Sequence, residues 1–319
     1  MVNQTQSPAA SLRRGDVYFL SHGGPPTIEQ YESGPYKAWQ KFGRTITAEK
    51  SKPKGIVAVS AHWENEDRYG PGAAGVIVNS NTTNPLIYDF GGFPKHFYQF
   101  QFRSNADPAL QAKVVDVLKK DGIPVRREDR GLDHGVWIPF KAAFGDDSPL
   151  PIVQVSLPGT SDPQASVKLG KSLSKLRDEG YAIVATGQVV HNLRDLFTGR
   201  KMPYTKPFLQ AVESALSSSD STRANEDPSL SATLDLLNSP LYKKAHPTDE
   251  HFFPLLVALG AIHPRTSGED SGASSAGDKS DIREKIYTGV VDIGGSPAED
   301  TGLGWGMWRW THTRANASS

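Results

Sequence analysis

The chain has 319 residues, with 35 basic and 35 acidic side chains spread along its length and a formal net charge of zero. That balance argues against the concentrated basic patch expected of a nucleic-acid partner, and the absence of cysteine excludes a disulfide framework and any thiolate ligand. A bound metal must therefore be held by histidine and carboxylate, which makes the nine histidines the residues to sort.

Residues 1–14 are polar and read as a flexible N-terminal tail. The first residues lack the charged and apolar regions of a signal peptide, and no run is long and apolar enough for a transmembrane helix. The expectation is a soluble, cytoplasmic protein without a membrane partner. Val17 to Leu20 is a short apolar run that ends in Ser21-His22-Gly23-Gly24-Pro25. In α/β folds, ligands collect beyond the carboxyl ends of such strands. Tyr36 to Phe42 suits a helix or packed loop, and Ile56 to Ser60 is a β-branched run, as for a strand buried on both faces, ending in Ala61-His62-Trp63. Gly75 to Asn79 is a third candidate strand, followed by the aromatic, glycine-rich stretch Asn84 to Pro94, suited to walling a flat pocket.

Asp107-Pro108 opens an amphipathic helix that Gly122 ends. Val125 to Arg127 reads as a short strand, and Gly131 to Phe140 places His134 in a glycine-flanked turn. Pro151 to Ser156 is a strand, Asp162-Pro163 opens a second helix that Gly180 closes, and Tyr181 to Thr186 is a strand with His191 just beyond it. Helices are predicted over Tyr204 to Leu216 and Ser231 to Tyr242. Pro254 belongs in the first turn of an apolar helix and so puts His251 at that helix's start. Residues 264–282 are Ser/Gly/Asp-rich and read as a mobile internal loop, because apolar strands resume over Lys285 to Ile293 and Trp305 to Trp310. Residues 313–319 form a C-terminal tail, leaving 15–312 as a single α/β domain. Its central sheet is mostly parallel or mixed and flanked by helices, with a metal site at the carboxyl ends of the strands.

Taken in order, Ser21-His22-Gly23-Gly24-Pro25, Ser60-Ala61-His62-Trp63, Tyr88-Asp89-Phe90-Gly91-Gly92-Phe93-Pro94, Leu132-Asp133-His134-Gly135-Val136-Trp137, His191-Asn192-Leu193 and His246-Pro247-Thr248-Asp249-Glu250-His251 resemble the DOPA 4,5-dioxygenase family. This family belongs to the class III extradiol ring-cleaving dioxygenases, in the superfamily of the protocatechuate 4,5-dioxygenase catalytic subunit. The resemblance runs from Val17 to Trp310 and implies one α/β domain with a non-haem metal held by His22, His62 and His251. Glu250 is the alternative third ligand, or a carboxylate supporting an imidazole. Two or three imidazoles with at most one carboxylate leave Fe(II) open positions for substrate and O2.

The resemblance also implies that His134 and His191 are acid–base residues, with His191 an alternative fourth ligand when zinc is bound. His246 would support the site from behind, whereas His96, His263 and His312 match no catalytic motif. The implied reaction opens a catechol, DOPA or a relative, with O2 to a muconic semialdehyde. Fe(II) is the expected active metal, Zn(II) is a competing occupant, and the protein is expected as a monomer or homodimer. Two other readings stay open on the residues alone: a zinc-dependent hydrolase, and a non-catalytic metal-binding member of the superfamily.

Overall fold

The computed structural model describes residues 13–65, 75–198, 200–221, 223, 226–262, 281–290 and 302–312. Among them the chain runs β1 (Val17–Ser21), α1 (Gly34–Thr47), β2 (Ile56–Glu64), β3 (Val76–Asn79), α2 (Pro108–Lys120), β4 (Val125–Glu128), α3 (His134–Phe144), β5 (Ile152–Leu157), α4 (Pro163–Asp178) and β6 (Ala182–Gly187). It continues through β7 (Val190–His191), α5 (Leu193–Leu196), α6 (Thr205–Leu216), α7 (Pro228–Leu236), α8 (Tyr242–Ala245), α9 (Phe253–Ala261), β8 (Ile282–Val290) and β9 (Leu303–Thr311). These strands make one sheet in the order β4-β3-β5-β2-β6-β1-β9-β7, with β8 also paired to β9.

The central strands β5, β2, β6 and β1 are mutually parallel, whereas β9 runs antiparallel to β1 and β3 antiparallel to β5. The protein is therefore a single α/β domain on a mixed sheet. Alternation along the strands divides its interior into two cores. Val17, Phe19, Val57, Val59, Ile183 and Ala185 join the core that contains α4 and α9 residues. Tyr18, Leu20, Ile56, Ala58, Ala182 and Val184 face the core built with α1 and α3. Helix on both faces is what allows near-continuous apolar strands. Helices α4 and α9 pack so closely that a Cβ on Gly170 would lie 2.1 Å from the Val257 carbonyl oxygen, and one on Gly260 2.4 Å from that of Val167.

Three Asp-Pro pairs start helices as their chemistry dictates: the Asp107, Asp162 and Asp227 carboxylates accept from the backbone N–H groups of Ala109, Gln164 and Ser229 at 2.8, 2.9 and 2.9 Å. The third pair corrects the helix expected over 231–242, because α7 begins at Pro228 and stops at Leu236, ahead of Pro240, and α8 is a separate turn. Strand β2 runs through His62 to Glu64, with a register shift against β5 after Val59. His134 is not in a turn but is the first residue of α3; its flanking glycines mimic a turn, and the helix, buried almost all round, has no polar stripe to reveal it. His191 lies within the two-residue strand β7, paired with Leu303. Strand β8 starts at Ile282, inside the stretch expected as loop. Residues 263–280, 291–301 and the expected tail at 313–319 lie outside the described residues, as do residues 1–12 of the tail expected over 1–14. Arg13 hydrogen-bonds Asp16 and Thr311 at 2.8 and 2.7 Å. No helix among the described residues is long and apolar enough to cross a membrane.

Candidate metal and proton-transfer site

At the carboxyl ends of β1 and β2 and the start of α9, His22, His62 and His251 bring one ligand atom each within 4.8 Å of the others. His22 extends the β1 ladder by donating its N–H to Gly187 O at 3.1 Å, and the chain then turns at Gly23 with φ 58°. A side chain there would meet the Trp305 ring at 2.0 Å. Gln188, fully buried, accepts from Gly23 N–H through Oε1 at 3.2 Å, donates through Nε2 to Gly304 O at 2.8 Å, and donates its backbone N–H to His251 O at 2.8 Å. One glutamine thus ties two of the three histidine segments to β9.

The partners of each Nδ1 determine where the lone pairs point. His22 Nδ1 donates to Gly23 O at 2.9 Å, His251 Nδ1 donates to Glu250 Oε1 at 2.9 Å, and His62 Nδ1 lies 3.5 Å from Asp89 Oδ2. Carbonyl and carboxylate oxygens only accept, so they favour Nδ1–H and leave Nε2 as the free acceptor. His22 Nε2 is buried without a hydrogen-bond partner, and the Nε2 atoms of His62 and His251 face each other at 3.3 Å. Two lone pairs at that distance repel, and an orphaned buried acceptor calls for an occupant. Burial, reinforced by the neighbouring imidazoles, pushes His22 down to about 3 and His62 and His251 well below the ordinary histidine value, so all three are neutral at pH 7. Neutral imidazoles with held Nδ1–H groups are the donor set that a divalent metal binds. The residues fit a metal, with Glu250 acting on His251 from its outer side.

His191 and His134 complete the cluster. The His191 ring stacks on His251, with centroids 3.5 Å apart and planes 10° apart, and burial and then His134 push it down to about 4. The His134 ring lies 4.0 Å from that of His62 and 5.6 Å from that of His22, with Phe90 edge-on at 5.7 Å. Tyr88 and Tyr98 pack on Phe90, so the stretch after Asn84 forms an aromatic wall at His134.

Behind the cluster is a buried carboxylate that sequence reasoning had quoted only within a motif. Asp133, fully buried, accepts from Ser60 Oγ at 2.7 Å and from Arg130 Nη1 at 3.1 Å, and Gln154 Nε2 also donates to it. Arg130 reaches on to His62 O at 3.1 Å, and Ser60 Oγ accepts from His62 N–H at 3.1 Å. The legible clue was Gln154, a lone amide within the apolar strand Ile-Val-Gln-Val-Ser-Leu. A separate cleft of about 340 Å³ opens beside His62 towards β3 and β4, lined by Trp63, Glu64, Arg126, Glu128 and Arg130 among others.

His246 is buried, with Nε2 donating to Val189 O at 2.7 Å and its ring stacked on Tyr242. His96 pairs with Glu29 at 3.2 Å and His312 lies 3.6 Å from Asp281; neither belongs to the imidazole cluster. His263 lies outside the described residues.

Fold and cluster together define an α/β domain with a cluster of neutral imidazoles that could hold a metal. Residues 16–276 match the family described as the catalytic LigB subunit of aromatic ring-opening dioxygenase, and the chain belongs to that family of ring-cleaving, non-haem metal-dependent dioxygenases. It is similar to a 4,5-DOPA dioxygenase extradiol of Escherichia coli K12, 34% identical over 79% of this chain and 86% of that protein. It is likewise similar to one of Beta vulgaris, 33% identical over 81% of this chain and 89% of the relative. The crystal structure of an uncharacterized Escherichia coli K12 protein superimposes with a TM-score of 0.64 at 26% identity, covering 93% of this chain and 99% of that one.

Proposed function

We propose that the protein is an Fe(II)-dependent extradiol dioxygenase that opens a DOPA-like catechol to a muconic semialdehyde, with His22, His62 and His251 as the metal ligands. The observation that supports this most directly is the convergence of their Nε2 acceptors, each backed by an oxygen at Nδ1. Fe(II) held there supplies a Lewis acid with an accessible redox change, which zinc lacks. Three neutral ligands add no negative charge, so the site favours a substrate that brings its own, as a catecholate does.

His191 and His134 flank the ligand cluster, against His251 and His62 respectively. Both are in reach of a substrate in the cluster, one to take a proton from a catechol hydroxyl and the other to return one as the ring opens. The aromatic wall of Phe90 and Tyr88 gives a flat ring a stacking surface and keeps water from His134. In the overall reaction the ring carbon–carbon bond beside the two hydroxyls breaks, and both atoms of O2 enter the product. The test is to load metal-free protein anaerobically with Fe(II), add L-DOPA and other catechols, and admit O2. A yellow product with stoichiometric O2 uptake is expected; turnover by rigorously iron-free zinc protein would refute the reading.

A further inference from the structure

Asp89 projects from the aromatic loop into the space between two imidazoles. Its Oδ1 accepts from the His134 backbone N–H at 2.9 Å and lies 3.0 Å from His134 Nδ1, and its Oδ2 lies 3.5 Å from His62 Nδ1. A residue that only capped α3 would need the backbone contact alone; Asp89 faces two ring nitrogens as well. Its placement is built in. Ile87 N–H donates to Leu132 O at 2.8 Å, Leu132 N–H to Pro85 O at 2.8 Å and Trp137 Nε1 to Ile87 O at 3.0 Å, so the loop is registered onto the segment that carries His134. Asp133, the residue at the helix-capping position, makes no side-chain cap and spends its carboxylate on Ser60, Gln154 and Arg130, which leaves that place to Asp89.

The geometry points to Asp89 as a positioning residue that holds His134, and with it His62, in the Nδ1–H tautomer and so aims both Nε2 lone pairs into the cluster. A carboxylate only accepts, so a ring nitrogen beside it keeps its proton. The His134 Nδ1 contact is short without reaching hydrogen-bond alignment, a state common in catalytic pairs before substrate tightens them. That Nε2 then serves as a base rests on the function proposed above; the tautomer itself does not.

The test uses zinc-loaded protein, which is diamagnetic, with ¹⁵N-labelled histidine. Long-range proton–nitrogen correlations report the tautomer of His134 directly. The wild type is expected to show Nδ1–H, and Asp89→Ala to lose it in favour of Nε2–H. Asp89→Asn is the conservative control, because a carbonyl in the place of Oδ1 still accepts the His134 N–H and still faces His134 Nδ1; it is expected to keep Nδ1–H at His134. In iron-saturated protein Asp89→Ala should keep its KM while kcat falls about 10–100-fold, the range for partners of site imidazoles, and its metal affinity should drop because His62 Nδ1 loses the carboxylate as well; Asp89→Asn should lose less kcat. Nε2–H at His134 in the wild type, or an unchanged His134 tautomer in folded Asp89→Ala, would overturn the inference. A shifted tautomer with undiminished kcat would support it and count instead against His134 as the base.

Discussion

At the residue scale the ligand and proton-transfer roles make separable predictions. His62 Nε2 faces His251 Nε2 at 3.3 Å, so removing either imidazole takes away one wall of the proposed metal position. His62→Ala and His251→Ala are each expected to lose most bound Fe(II) by metal analysis with the far-ultraviolet circular dichroism unchanged, and full occupancy in His62→Ala would refute the ligand set. His191 instead lies flat on His251, with the two rings parallel. His191→Ala is expected to keep its iron and lose about 10²- to 10⁴-fold in kcat, the usual effect of deleting a general acid or base. An iron-free His191→Ala protein would make it a ligand. Glu250→Gln keeps an acceptor at His251 Nδ1 but removes its charge, and is expected to weaken metal binding about tenfold in a competition titration.

At the element scale, the strands that carry His22 and His62 were legible because burial on both faces leaves uninterrupted apolar runs that stop at the site. Helix starts were legible wherever Asp-Pro supplied cap and first turn, and the same rule, applied at Asp227, would have located α7. What was not legible depends on tertiary contact. Helix α3 has no polar stripe, and β7 is two residues long and exists only because β9 pairs with it. The roles of Asp89, Asp133 and Gln188 follow from contacts between segments far apart in sequence. The turn after β1 gives this scale its own prediction. Alanine at position 23 adopts φ near 58° at a cost of about 1–2 kcal/mol and must also displace the Trp305 ring. Gly23→Ala is therefore expected to lower the thermal midpoint and iron affinity together; loss of neither would mean that the turn relaxes freely.

For the whole molecule, buried neutral imidazoles make stability depend on pH. His246, outside the ligand cluster, has its pKa lowered to about 3 by burial, against an ordinary 6.5 in the unfolded chain. Below 6.5 the unfolded state takes up a proton that the folded state refuses. Its contribution is thus complete above pH 6.5 and is lost as pH falls towards 3, with a slope near 1.4 kcal/mol per pH unit. His246→Asn is expected to be less stable at pH 7.5 yet to lose stability less steeply between pH 6.5 and 4 in thermal melts of metal-free protein; an unaltered slope would count against it. The position of β9 has a different consequence, one of timing. Strand β1, which leads into His22, pairs on one side with β6 and on the other with β9, residues 303–311. During synthesis β1 must wait for the far later β9, with long-range closure delaying the sheet. Nascent chains arrested before residue 302 are therefore expected to lack protease resistance and retain no metal, and both should appear together once β9 has emerged.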